Sequence, residues 1–251
     1  MKLKPTLFVL FGLLPALMFG QQGKYYFDGG IVRMDKGQKK IYLVFTGGDF
    51  NEGTKLIAKA LNKDFTKASF FFTGDFYRNP ANAKNIRRLV RDGHYLGAHS
   101  DKHLLYAPWE NRDSLLVTKE QFTEDLLANY REMERFGIEK EDALYFMPPY
   151  EWYNTTISQW TSELGLQLIN FSPGTRSNAD YTTPDMGKRY VTSEAIMKSI
   201  FDYEKSDPDG LNGFILLLHV GTESSRSDKF YFRLREMTKR LRDLGYDFEK
   251  F

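Results

Sequence analysis

Tyr95-Leu96-Gly97-Ala98-His99-Ser100-Asp101-Lys102-His103 is a short apolar run that breaks directly into two histidines four positions apart. The run has the composition of a buried strand, and polar residues just past a strand end are where parallel α/β folds place their chemistry. Continued as a helix, the segment sets both imidazoles on one face, one turn apart, where they can grip a divalent ion. Two histidines at this spacing also arise by chance, so the pair alone is suggestive.

Working outward, Ala68-Ser69-Phe70-Phe71-Phe72 is a second buried strand, and Ile86, Leu89 and Val90 recur at helical spacing before Gly93. Ile41-Tyr42-Leu43-Val44-Phe45 is a strand ended by Thr46-Gly47-Gly48, and Leu56, Ile57, Ala60 and Leu61 follow as a helix. Thr118 and Gln121 form a capping box that opens a helix with the stripe Phe122, Leu126, Tyr130 and Met133. The alternation continues with a strand at 145–147, a helix at 156–164, a strand at 166–171, a helix at 195–203, a strand at 213–219, a helix at 232–244 and a last short strand at 246–248. Buried strands alternating with amphipathic helices predict an α/β fold with a parallel sheet, either closed as a barrel or open and doubly wound.

At 251 residues the chain has the length of one α/β barrel. Lys2 and Lys4 followed by the apolar run Leu7 to Met18 read as a signal peptide over residues 1–20. The run falls short of the roughly 20 residues that span a bilayer, so cleavage with no stable membrane span is expected. Residues 21–251 then form a single catalytic domain, exported to the periplasm or secreted. Loss of Lys2 and Lys4 with no acid takes the formal charge from +2 to zero, and short clusters such as Arg87-Arg88 make no nucleic-acid surface. The absence of cysteine excludes thiol catalysis and zinc–thiolate sites, and aromatic residues at 16% supply both core rings and rings suited to a sugar cleft.

Of four histidines, His219 ends the apolar strand Ile215-Leu216-Leu217-Leu218, and His94 sits in a turn between Gly93 and Tyr95. At a strand end, His219 is either a catalytic group or a structural histidine bonded to a loop carbonyl.

From Ile41 to Phe251 the sequence resembles the polysaccharide deacetylases, the NodB-type carbohydrate esterases. The carriers are Lys67 to Gly74, Asp92-Gly93-His94 through His103, Met147-Pro148-Pro149-Tyr150, Leu218-His219 and Leu244-Gly245-Tyr246-Asp247-Phe248, in the family's order. The resemblance implies a distorted (β/α) barrel in which an aspartate and two histidines hold a divalent ion, zinc being the expected one. A metal-bound water would attack the acetyl group of a polysaccharide or oligosaccharide, N- or O-linked. It makes His99 and His103 metal ligands, places His219 opposite them, and gives the Tyr150 amide a share in the oxyanion site.

Two departures accompany the match. The adjacent aspartates expected after the first strand are replaced in Phe45-Thr46-Gly47-Gly48-Asp49-Phe50, and Met147 stands where an arginine steadies the catalytic aspartate. Thr46 and Met147 thus replace both halves of an ion pair, a change that strands no buried charge. Asp49 is the one acid in that loop, so it becomes the candidate third metal ligand or the base, with helix capping or simple solvation as its ordinary alternatives. Asp101 between the histidines, or His219 acting alone, are the other candidates for acid–base work. Glu151-Trp152-Tyr153-Asn154 with Trp109 could line a sugar groove, packing at loop bases being the alternative for Trp152 and Trp109; Tyr150 is a further substrate-binding candidate, and Arg176 and Asp180 are candidates for substrate contact or for support of His219. A glycan-binding protein that has lost catalysis on the same fold is the alternative function.

Overall fold

β3 (Lys40–Gly47) is the strand around which the sheet is built, pairing in parallel with β4 (Ser69–Phe72), β8 (Phe214–His219) and, near its start, β9 (Asp247–Glu249). The computed structural model describes residues 23–251, so the expected signal peptide at 1–20 lies outside the described residues. β1 (Tyr25–Phe27) and β2 (Gly30–Arg33) form an antiparallel hairpin; β5 (Tyr95–Ala98), β6 (Tyr145–Phe146) and β7 (Gln167–Leu168) extend the parallel sheet from β4. The order across the sheet is β1-β2-β8-β3-β4-β5-β6-β7.

The sheet curls until its ends meet. β2 pairs antiparallel with β8 at Arg33–Phe214 and also makes a parallel bridge from Ile31 to Ile169, just past β7. A short strand crossing this gap closes the barrel unevenly, and Ser172 seals the seam: its hydroxyl accepts from the Ile215 amide at 2.9 Å and donates to the Val32 carbonyl at 2.5 Å. This is the distorted (β/α) barrel that the resemblance implies, covered by α1 (Thr54–Lys63), α2 (Gly74–Arg78), α3 (Ala83–Arg91), α4 (Lys119–Glu134), α5 (Thr155–Glu163), α6 (Ser193–Ser206) and α7 (Leu234–Asp243). No helix among the described residues is long and apolar enough to cross a membrane.

The elements form where periodicity and capping put them. Thr118 accepts from the Gln121 amide while the Gln121 side chain accepts from the Thr118 amide, and α4 buries the predicted stripe. Phe70, Phe71 and Phe72 are all fully buried, with Phe70 stacked on Phe45 at 5.1 Å and Phe72 on Phe76 at 4.1 Å between ring centres. Burial of each ring stabilises the barrel by roughly 1.5–3 kcal/mol.

Four boundaries differ from expectation. The lead-in before β3 holds the β1–β2 hairpin, whose Asp28-Gly29 turn has both residues at positive φ (44° and 80°), the requirement of a tight two-residue hairpin turn. β6 and β7 are only two residues each, because the closing seam is made by side chains and single bridges there. The last helix proper starts at Leu234, after a 3₁₀ turn over Phe230–Arg233. Most consequential, His99–His103 is a loop and not a helix, with Ser100 and His103 both left-handed at φ 70° and 54°.

His94 is structural. Its Nδ1 accepts from the Ala68 amide at 3.3 Å, and its ring meets Phe70 edge-on at 5.3 Å. Burial, with the charge of Lys67 beside it, lowers its pKa from 6.5 to about 4. The unfolded chain therefore binds a proton below pH 6.5 that the folded chain refuses until about pH 4, and stability falls as pH drops through that window. Acidification from pH 7 to 5 should lower the stability by on the order of 1–2 kcal/mol through this residue alone. Urea midpoints at the two pH values should differ less in His94→Gln.

Candidate active site

A cavity of about 1340 Å³ opens at the C-terminal ends of the parallel strands, and His99, His103 and His219 all line it with Asp49, Tyr150, Glu151, Trp109 and Trp152. The histidine loop is shaped by a carboxylate from the neighbouring helix. Asp125 of α4, nearly buried, accepts from the Ser100 hydroxyl at 2.6 Å, the Asp101 amide at 3.0 Å and the Lys102 amide at 2.9 Å. Asn129, one turn along, accepts from the His99 amide at 2.8 Å. These bonds hold a turn that brings the two rings together at 5.1 Å without the helix expected.

Both rings are held neutral. His99 is 3% exposed, and its Nδ1–H donates to the Met147 carbonyl at 2.8 Å, which leaves Nε2 as the lone-pair nitrogen. Burial and the neighbouring His103 push His99 well below the usual histidine range. Burial lowers His103 to about 4 against the opposing pull of Asp49. Neutral imidazoles with one tautomer fixed by a carbonyl suit metal coordination.

The third donor is not in place. Asp49 is exposed on the loop after β3, within electrostatic reach of His103, and no set of three His, Cys, Asp or Glu side chains among the described residues is close enough to share an ion. Nor is there room for a carboxylate at Gly47 of β3. A Cβ at Gly47 would lie 2.6 Å from Val220 Cγ2 and 2.9 Å from Phe72 Cδ1. Thr46 and Met147 are both buried, so the exchange of an ion pair for a hydroxyl and a thioether leaves no stranded charge.

Across the cavity, Asp180 grips His219 from two sides, its Oδ1 2.6 Å from Nδ1 and its Oδ2 accepting from the His219 backbone amide at 2.9 Å. Burial alone lowers the pKa of His219, but the charge and hydrogen bond of Asp180, with a further contribution from Glu151, leave it above 6.5. Asp180 is thus the support that sequence left as one alternative among several.

Other candidates separate. Asp101 is buried in an ion pair with Arg78, backed by Lys102, and does not line the cavity, which removes it as a base. Arg176 is exposed, tied through its amide to Ser199 at 3.0 Å, and lies outside the cavity wall, against its expected substrate contact. Tyr150, at φ 59°, places its ring 4.3 Å from His103. Trp152 is a floor: its indole N–H donates to the Pro108 carbonyl at 3.3 Å, and the Arg112 guanidinium lies 3.8 Å from its ring centre. Trp109 is 53% exposed and presents a free ring at 5.5 Å from Trp152 and 5.6 Å from Tyr150.

Sequence reasoning missed Glu151 as a titrating group, Asp125 as the loop's anchor, and the hairpin residues Tyr26 and Phe27 on the cavity wall. The Asp28-Gly29 pair between aromatic and apolar residues was a usable hairpin signal. Nothing local in the sequence marks Asp125.

A curled barrel with a histidine pair facing a histidine–aspartate pair carries the fold of the carbohydrate-esterase class. The chain belongs to the polysaccharide deacetylase family, whose sequence profile matches residues 33–169. It is 24% identical over 211 residues to a peptidoglycan-N-acetylglucosamine deacetylase of Bacillus cereus, covering 84% of this chain and 85% of that one. Two solved structures share the fold. A family 4 carbohydrate esterase pseudoenzyme from Bacillus anthracis superposes with a TM-score of 0.67 at 17% identity, covering 89% of this chain and 67% of that one. A family 4 acetyl xylan esterase from Clostridium thermocellum, in complex with a cobalt ion, gives 0.64 at 21% identity over 84% of this chain and 87% of its own.

Two substitutions test the geometry. Asp125→Ala removes three hydrogen bonds to a charged acceptor and should cost more than about 3 kcal/mol, with faster hydrogen exchange at the Asp101 and Lys102 amides; Asp125→Asn should cost less. Gly47→Ala should destabilise by about 1–3 kcal/mol through overpacking. Gly47→Asp should cost more and gain no affinity for divalent ions by calorimetry, unless Val220→Ala is added to make room.

Proposed function

We propose that the protein removes N- or O-linked acetyl groups from an extracytoplasmic polysaccharide or oligosaccharide. The observation that carries this reading is the His219–Asp180 pair facing His99 and His103 across one cavity. Its volume exceeds the roughly 300–1,000 Å³ usual for small-molecule sites and suits several sugar units. Trp109 and Tyr150 supply exposed ring faces at its rim. Export rests on the apolar leader.

His99 and His103 are the residues that would hold a divalent ion, expected to be zinc, with Asp49 able to join them by movement of its glycine-flanked loop. When bound, such an ion polarises the acetyl carbonyl and lowers the pKa of water. Asp180 fixes the tautomer of His219 with Nδ1–H toward the carboxylate, so Nε2 is the atom that gives a proton to the departing amine or alkoxide. The Tyr150 amide, stiffened by Pro148 and Pro149, contributes to the oxyanion site.

The filled space at Gly47 and the loss of an acid at Thr46 favour a second reading, a glycan-binding protein without turnover. One experiment separates them. Acetate release from acetylated chito-oligosaccharides, peptidoglycan fragments and acetyl-xylan, after reconstitution with zinc or cobalt, should fall at least roughly 100-fold in His219→Ala. His99→Ala and His103→Ala should each abolish stoichiometric metal. Glycan binding with no acetate release from any substrate would establish the second reading instead.

A further inference from the structure

The acids that the family's first motif lacks here leave the reacting water without a proton acceptor on β3, yet a carboxyl stands on the opposite wall. Pro148-Pro149 lead into two consecutive residues in the left-handed region, Tyr150 at φ 59° and Glu151 at φ 53°. Non-glycine residues there cost on the order of 1–3 kcal/mol each and persist where surrounding structure enforces them. The enforcement is visible: the Glu151 amide donates to the Pro148 carbonyl at 3.1 Å, the Trp152 amide to the Pro149 carbonyl at 3.2 Å, and Asn170 Nδ2 donates to the Glu151 carbonyl at 2.8 Å. The result is a half-buried glutamate that lines the same cavity as His99, His103 and His219.

We propose that Glu151 is the general base of this site, taking the place of the aspartate absent at Thr46 and working opposite His219. The inference rests on the deacetylase reading. Glu151 accepts a proton from water as the water oxygen bonds to the acetyl carbon. His219, protonated and held by Asp180, gives its Nε2 proton to the leaving nitrogen or oxygen as the bond from the acetyl carbon to it breaks. Acetate and the free amine or hydroxyl leave, and proton transfer between Glu151 and His219 through solvent restores the starting state.

The environment matches the role. Burial pushes Glu151 up to about 7, opposed by the pull of His219 and helped by the smaller effect of the Asp180 charge. A base near the working pH combines a useful ionised fraction with proton affinity. His219 and Asp180 are the charged groups that face it; Asp49, Lys102 and Arg189 line the wider cavity. The other acids at hand are less suited: Asp101 is consumed by Arg78, Asp180 by His219, and Asp49 is exposed on the β3 loop.

The test is Glu151→Gln in the full mature chain, with acetate release measured across pH 5–9 and the His219 ring followed by NMR. The expected results are a kcat lower by roughly 10²–10⁴-fold with KM little changed, loss of the acid limb of the wild-type profile near pH 7, and a His219 titration moved to lower pH because a negative neighbour is gone. Glu151→Asp should recover part of kcat with a displaced limb, and unchanged urea midpoints exclude misfolding. An active wild type whose Glu151→Gln variant keeps both rate and limb would overturn the base assignment and leave the deacetylase reading standing. A wild type silent on every acetylated substrate would overturn that reading and the assignment with it, and an unmoved His219 titration would overturn the pairing of the two groups.

Discussion

Everything that chemistry requires of the histidine loop depends on one buried carboxylate. Asp125 accepts three hydrogen bonds from consecutive residues, Ser100 to Lys102, and so replaces the backbone pairing that a helix would have given them. The exchange allows Ser100 and His103 to be left-handed, and it is this turn that sets the rings 5.1 Å apart. Because the carboxylate comes from α4, whose capping box and buried stripe fix its position against the barrel, the geometry of the histidine loop is inherited from helix packing.

The second constraint is the distribution of charge around the cavity. The end of β3 carries Thr46, a glycine and an exposed Asp49, while the adjacent end of β8 carries His219, held above its ordinary pKa by Asp180 from the segment after β7 and faced by Glu151 from the turn after β6. The neutral pair His99 and His103 follows β5, two strands beyond β3 in the sheet. A Cβ at Gly47 would meet Val220 and Phe72, so this wall is closed by packing. Thr46 and Met147 are buried and uncharged, which keeps the core there free of an unpaired charge.

Much of this was legible before any coordinates. Strand and helix alternation, the capping box, and the order of family motifs sufficed for the barrel, because each is a local signal that long-range structure reinforces. The site was legible in part: His219 at a strand end and the histidine pair follow from position, and Asp180 could be named though not ranked. What escaped were relations set by folding. Asp125 sits on the buried side of an ordinary amphipathic helix, and its partners are more than twenty residues away. Glu151 reads in sequence only as one residue of a stretch that could line a groove, and it is the left-handed turn after two prolines, with its clamp by Asn170, that sets it among the titrating groups of the cavity. Arg176 shows the converse, since it is exposed outside the cavity wall with its amide tied to α6 through Ser199.

The aromatic rim shows how the same barrel acquires a longer groove. The β1–β2 hairpin, bent by Asp28-Gly29, closes the seam between β7 and β8 and at the same time lifts Phe27 over Arg112 at 5.1 Å. Arg112 in turn lies on Trp152, and Asp28 pairs with it at 3.4 Å, so a cation fills one face of that indole and fixes its edge against Pro108. With Trp152 occupied in this way, Trp109 and Tyr150 keep the exposed rings of the rim, and the hairpin extends the cavity wall through Tyr26 and Phe27. Barrel closure and the shape of the cavity are therefore linked: the hairpin that satisfies the sheet edge also places Tyr26 and Phe27 on the cavity wall.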